Sequence, residues 1–191
     1  MSSTPISVYL AHPIDQAKDG KWSTVPDYLR RTLAREGIPV YSPSQAWTIN
    51  PTTTQPSSAV QAINNEALRR ATHVVVVVPA GVASIGTSYE LAQAIHDPAI
   101  TAQVVLVYED TLLESSWMLP WISERVQLSI PFDSHEDYPL RTEDMLALWQ
   151  LIGVRTRPRE PHPEDHDMVD LQPEDAEPDS DDDDSHYRFC Y

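Results

Sequence analysis

Five consecutive valines, Val74 to Val78, separate two stretches with a different rhythm. Before them, "SSAVQAINNEALRRAT" places Val60, Ile63, Ala67 and Leu68 on one helical stripe. After them, "GTSYELAQAIHD" puts Leu91 and Ile95 on one helical face. The valines have no polar alternation, so they predict a strand buried on both faces. "ISVYLA", Ile6 to Ala11, and "AQVVLVYE" also read as strands, and "IPVYSP" reads as a short one ended by Pro43. "TVPDYLRRTLAREG" predicts a helix with Leu29, Leu33 and Ala34 inward, Pro26 near its start and Gly37 as its stop. "TEDMLALWQLIG" predicts the last helix, with Thr142, Glu143 and Asp144 at its start and Gly153 at its end. "VQLSIP", Val126 to Pro131, is a short candidate fifth strand.

The order is β-α-β-α-β-α-β-(β)-α. It predicts an α/β fold: an open, doubly wound, mostly parallel sheet of about five strands, Rossmann-like or flavodoxin-like. Ligands in such sheets bind beyond the C-terminal ends of the strands.

Charge changes this picture at one end of the chain. The formal charge is −16, but residues 160–191 hold 13 acids against one Arg, a net −12. The other 159 residues hold 16 acids and 12 bases, a net −4. The division is therefore an α/β domain over 1–154 and a disordered acidic tail over 155–191, rich in Pro and poor in apolar residues. The final "HYRFCY" has the aromatic content of a docking segment. Deleting Glu160–Tyr191 is expected to leave the melting temperature nearly unchanged. A fall larger than about 2–4 °C, the response to about 1 kcal/mol in a domain of about 150 residues, would show that the tail packs on the body.

Neither part offers a broad basic surface for nucleic acid. No apolar stretch approaches the roughly 20 residues that span a bilayer, and no signal peptide is evident. One cysteine, Cys190, allows no disulfide within one chain. The expectation is a cytoplasmic protein with no membrane partner.

Three places carry candidate chemistry. The first is Glu90, beyond the "SIGTS" turn, where Gly86 permits close backbone approach and Thr87 or Ser88 caps a helix. Glu90 then falls in the first helical turn. There it reads either as a residue satisfying the helix dipole or as a nucleophile kept ionised by it. The second is "VYLAHPID", where Tyr9 and Ala11 share a strand face and His12-Pro13 makes a rigid turn. His12 is either a hydrogen-bonding or phosphate-contacting group or an exposed turn residue. The following loop adds Lys18, Lys21 and Trp22, suited to hold a phosphate and stack a base. The third is the pair Asn64 and Asn65, whose amides can grip sugar hydroxyls or a base edge, or simply face solvent. No dinucleotide, P-loop, nucleophile-elbow or structural-zinc pattern is present, so no metal or cofactor is expected.

"VYLAHPI", "INNEALRRATHVVVVVP" and "IGTSYELAQAI" together resemble the nucleoside 2-deoxyribosyltransferase family, across roughly Ile6 to Tyr108. That family includes related nucleoside 5′-monophosphate N-glycosidases. The resemblance implies that Glu90 attacks the anomeric carbon. It also implies that Tyr9, the Ala11–Pro13 turn and Asn65 line the substrate site, and that the protein pairs as a dimer or higher homo-oligomer. The small-molecule partner is then a nucleoside or nucleotide. Two positions depart from the family: Ser84 and Asn65 stand where many members carry Asp, so the base-side acid is missing there. Asp15 and Asp19 are substitutes in reach of the sequence, and Arg125 is a loose match to a residue that enters a neighbour's pocket.

The implied activity is N-glycosidic cleavage through a covalent glycosyl-Glu90, with transfer to another base or to water. The alternatives are a 5′-monophosphate N-glycosidase and a nucleotide-binding protein without turnover. "PAGVASIGT" is too sparse in glycine for the lysine-decarboxylase-like phosphoribohydrolases. If the substrate is a monophosphate, replacing Lys18 and Lys21 with Ala is expected to raise KM for the nucleotide and spare nucleoside cleavage. Equal effects on both would remove the phosphate role.

Overall fold

The computed structural model describes residues 5–14, 24–44, 57–82, 84–134 and 140–154. The acidic tail and the loop bearing Asp15, Lys18, Asp19, Lys21 and Trp22 lie outside these residues. The elements are β1 (Val8–Ala11), α1 (Thr24–Arg35), β2 (Val40–Tyr41), α2 (Ser57–Arg70), β3 (His73–Val78) and α3 (Ile85–His96). They continue through β4 (Gln103–Glu109), two short helices α4 (Leu112–Ser115) and α5 (Met118–Ser123), β5 (Leu128–Phe132) and α6 (Thr142–Ile152). The five strands form one parallel sheet in the order β2-β1-β3-β4-β5.

The valine run shows why the sheet is covered twice. Val75 and Val77 face a core with Val8, Leu10, Val105 and Val107, sealed by Leu29 and Leu33 of α1 and Leu148 and Trp149 of α6. Val74 and Val76 face the other way, with Tyr9, Ala11, Val104 and Leu106, against Leu68 of α2, Leu91 of α3 and Leu119 of α5. Alternate valines thus feed opposite cores, as the strand's period of two requires. Each fully buried aliphatic side chain contributes about 1.5–3 kcal/mol of burial free energy.

The architecture matches the predicted class, with local corrections. β1 is shorter than Ile6–Ala11, and β5 is shifted toward Phe132 from the predicted Val126–Pro131. The segment "LLESSWMLPWIS" forms α4 and α5, of 4 and 6 residues, too short to show a periodic pattern in the sequence. Ala34 is exposed, because the inward face of α1 runs through Val25, Leu29 and Leu33 instead. Ile63 is half exposed rather than core, and Leu68 carries the burial of α2. Gly153 does end α6, with a left-handed φ of 83° that glycine adopts without strain.

Candidate active site

In the order β2-β1-β3-β4-β5 the chain reverses direction across the sheet between β1 and β3. Open parallel sheets bind ligands beyond the strand ends at such a point. β1 and β3 are paired in register, Tyr9 beside Val74 and Ala11 beside Val76. Helix α3 leaves the end of β3 and packs on both strands. The side chain of Tyr9 and that of Glu90 on α3 therefore converge on one face of the sheet.

They meet in a hydrogen bond: the Tyr9 hydroxyl donates to Glu90 Oε1 at 2.6 Å. Tyr9 is fully buried, and its ring stacks on Tyr41 of β2, centroids 5.5 Å apart and planes at 28°. That stack follows from register, since Tyr9 and Tyr41 are direct partners in the β1–β2 pair. The Tyr41 hydroxyl in turn donates to Asn64 Oδ1 of α2 at 2.7 Å. Four side chains from β1, β2, α2 and α3 thus form one line, Asn64–Tyr41–Tyr9–Glu90.

The electrostatics follow from burial. Desolvation pushes the Glu90 carboxyl up to about 7, against the smaller opposing effect of the Tyr9 hydrogen bond. Tyr9 is held far above the ordinary phenol range, first by burial and then by the Glu90 charge, so it remains a donor. Tyr41 is raised by the same two causes in the same order. The sequence-based expectation that the helix dipole keeps Glu90 freely ionised is corrected on both counts. Glu90 is the sixth residue of α3, in its second turn, where the dipole's terminal charge has faded, and burial dominates instead.

The capping expectation is corrected with it. The N-cap is Ser84, whose hydroxyl accepts the Thr87 N–H, and the helix begins at Ile85. Thr87 is buried, with its hydroxyl 2.9 Å from that of Ser84. The exposed Ser88 donates its hydroxyl to the Ser84 carbonyl at 2.9 Å. Gly86 is a residue of the first helical turn rather than a turn glycine, and a Cβ there would meet nothing within 4 Å. Ser84, Thr87 and Ser88 are therefore occupied in starting the helix that carries Glu90.

His12 is half-buried rather than an exposed turn residue. Its Nδ1 lies 3.1 Å from the Pro13 carbonyl oxygen, which only accepts, so the proton belongs on Nδ1. Nε2 is then an acceptor facing the hydroxyls of Ser42 at 3.0 Å and Ser44 at 3.2 Å. Burial lowers the His12 pKa from its ordinary value, so the ring is neutral near pH 7. That state suits an anchor for the β1 turn, where Ala11 and Pro13 are also buried, better than a cationic phosphate contact. Asn65 is half-buried and forms no side-chain hydrogen bond among the described residues. The structure brings its neighbour Asn64 into the line of contacts instead. Arg125 lies over the Trp121 ring, 3.8 Å from its centroid, and donates to the Trp121 carbonyl.

Tyr41 is the residue that the sequence reading missed. The available signal was positional: "IPVYSP" ends a strand predicted beside β1, and its tyrosine falls level with Tyr9 once the two pair. Among the described residues, no group of three or more His, Cys, Asp and Glu is arranged to hold a metal. No described helix is long and apolar enough to cross a membrane.

No family model and no curated protein matches the sequence. Solved structures do match. A 2-deoxyribosyltransferase of Bacillus psychrosaccharolyticus is similar at 16% identity and a TM-score of 0.52, over 71% of this chain and 97% of that one. A CMP N-glycosidase of Clostridium botulinum is similar at 14% identity and a TM-score of 0.49, over 76% and 98% of the two chains. A 2-deoxyribosyltransferase of Leishmania mexicana is similar at 14% identity and a TM-score of 0.47, over 80% and 100%. The first likeness establishes fold: over the domain that carries Tyr9 and Glu90, this chain has the parallel α/β fold of the Bacillus 2-deoxyribosyltransferase.

Proposed function

We propose that the protein cleaves the N-glycosidic bond of a nucleoside or nucleotide, with Glu90 as the nucleophile. The observation that carries this reading is the Tyr9–Glu90 pair. A half-buried carboxylate at the switch point between β1 and β3 is held, among the described residues, by one 2.6 Å hydrogen bond from a phenol that does not ionise. The fold shared with a 2-deoxyribosyltransferase supports the same reading.

In the reaction, a Glu90 oxygen forms a bond to C1′ as the C1′–N bond breaks, and the base leaves with the bonding electron pair. A second base, or water, then attacks C1′ and releases Glu90. Attack twice at one carbon retains the configuration, the logic of a retaining glycosidase with a nucleobase as leaving group. Tyr9 holds one carboxylate oxygen and orients the other. Because the hydrogen bond is to the charged form, it also favours the ionised nucleophile. Asn64 and the Tyr41 hydroxyl supply neutral polar groups beside the reacting centre, and Ser84, at the position of a family Asp, is spent on the helix cap.

A free nucleoside fits the described residues better than a 5′-monophosphate, because His12 is neutral and held by Ser42 and Ser44. We carry the homo-oligomeric state and the division into a 1–154 domain and a tail as parts of this proposal.

The test is a panel of nucleosides and 5′-monophosphates, with free base followed by chromatography, with and without an acceptor base. Activity is expected to depend on pH through Glu90, which attacks only as the carboxylate. The rate should rise with pH through about 7 and fall about tenfold per unit below it. Activity that is flat from pH 5 to 8 would remove Glu90 as the nucleophile.

A further inference from the structure

The Tyr9 hydroxyl serves Glu90 only while the ring that carries it is held. That hydroxyl is the far end of a long side chain, so a small rotation about Cα–Cβ takes it out of a 2.6 Å contact. The flanks of the ring are set by strand register. On one side Tyr9 has Val74 of β3 as its direct partner, and on the other Tyr41 of β2. A valine ends at its γ-methyls, well short of a tyrosine hydroxyl. Tyr41 has the full length of Tyr9 and stacks on it, centroids 5.5 Å apart and planes at 28°. Within this row of strand side chains, Tyr41 is the flank that matches the ring.

Tyr41 is itself an edge residue. β2 has two residues, and among the described residues no strand lies beyond it. Its backbone is tied on both sides: Val40 pairs with Val8, and the hydroxyl of Ser42, the next residue, lies 3.0 Å from His12 Nε2. The ring is tied at its tip, where the hydroxyl donates to Asn64 Oδ1 at 2.7 Å. Among the described residues that is the hydroxyl's one hydrogen bond. Asn64 is placed by packing, since Leu68, one turn further along the same side of α2, is buried. On its own the Tyr41–Asn64 bond satisfies two polar groups that are costly to leave unpaired away from water. The stack gives it a second effect. With its tip pinned to α2, Tyr41 cannot swing toward the sheet edge, and the Tyr9 ring keeps the angle that faces Glu90.

We propose that Tyr41, pinned by Asn64, is a positioning residue for Tyr9: it holds the ring at the angle from which the Tyr9 hydroxyl meets Glu90. Its importance for turnover rests on the glycosidic reading above, but the positioning itself does not.

The experiment is a double-mutant cycle read on the carboxyl carbon of Glu90. 13C NMR follows that carbon as a function of pH, without substrate, in the full chain carrying 13C-labelled glutamate. The Glu90 signal is assigned by its loss in E90Q. The titratable groups facing Glu90 are Tyr9 and Tyr41, both raised, so neither titrates in the range scanned. The quantity compared is the displacement of the Glu90 midpoint by Tyr9→Phe. In the wild type that change removes a hydrogen bond to the charged form and should raise the midpoint by about one unit. The same change is then made in two backgrounds, each below its melting temperature. Tyr41→Leu removes ring and hydroxyl together, and Asn64→Ala releases the tip with a residue that suits a helix. In both, the Tyr9 hydroxyl is already loosened from Glu90, so the displacement should fall to less than about half its wild-type size. Water admitted by a background substitution enters both members of its pair and cancels. N64A alters no strand residue and keeps the test alive if Y41L does not fold.

A displacement as large in folded Y41L or N64A as in the wild type would overturn the proposal, because Tyr9 would then be placed by its own strand. So would the absence of any displacement in the wild type, which would leave no contact to position. Since no substrate enters the titration, failure of the positioning role and failure of the glycosidic reading are read separately.

Discussion

Glu90→Gln is expected to abolish base release and at the same time to stabilise the protein above pH 7. The two effects have one cause. Burial raises the folded-state pKa of Glu90 to about 7, above its ordinary 4.5. A carboxyl raised in this way favours the fold when protonated. Its contribution is fully present below about pH 4.5 and is lost as pH rises through about 7. At pH 8.5 the wild type therefore holds an ionised carboxylate in a site that resists it, at a cost on the order of 3 kcal/mol. Gln is nearly isosteric, cannot ionise, and still offers Oε1 to the Tyr9 hydroxyl. Its NH2 group must also find partners in the same half-buried place, so the net gain is smaller, roughly 1–2 kcal/mol. At about 2–4 °C per kcal/mol, the variant should melt several degrees higher at pH 8.5 and level with the wild type at pH 5. Base release should fall by several orders of magnitude, each tenfold corresponding to about 1.4 kcal/mol of barrier. Thermal scans at the two pH values check the stability half. Equal melting at pH 8.5 would mean that Glu90 is solvated in the fold.

Tyr9→Phe is expected to move the acid limb of the rate profile to higher pH and to lower the rate at pH 7. The hydroxyl's hydrogen bond is the one influence pulling the Glu90 pKa down, so its removal leaves desolvation unopposed and the midpoint rises above about 7. A hydrogen bond to a charged group is worth about 1.5–3 kcal/mol, which corresponds to about a 10–100-fold loss at neutral pH. Part of that loss should return at higher pH, where Glu90 is ionised in the variant too. The phenyl ring keeps its place against Tyr41 and its burial in β1, so the fold should survive. Rate against pH for the wild type and Y9F checks this. Coincident acid limbs would separate Tyr9 from Glu90 functionally, whatever their distance.

The sheet was legible because its signal is one of degree. Six-residue runs such as "HVVVVV" leave no polar face, and alternating helices then admit only parallel pairing with cover on both sides. In the line Asn64–Tyr41–Tyr9–Glu90, Tyr9, Glu90 and the Asn64 amide were legible as candidates from their places near strand ends and helix starts. Tyr41 was not, because it enters through strand register, which is not written in local spacing; nor is the rotation of α2 that turns Asn64 rather than Asn65 toward it. The same limit applies to the start of α3. "SIGTS" offers several residues able to cap, and only the packed helix selects Ser84 and so moves Glu90 from the first turn into the second. The pKa of Glu90 followed that shift. One turn further along, the dipole weakens, and the side chain lies over Tyr9 rather than toward open solvent. Short helices such as α4 and α5 carry too few turns for a periodic pattern, so they went unread.

The central claim is that Glu90 bonds to C1′, and trapping that bond tests it most directly. Wild type and E90Q would be incubated with a panel of 2′-deoxynucleosides without an acceptor base, quenched in acid, and examined by intact mass and by peptide mapping. The account predicts a wild-type adduct equal in mass to the sugar without its base, located on the peptide containing Glu90 and absent from E90Q. Base release with the sugar on another residue, or at the same rate from E90Q, would contradict it.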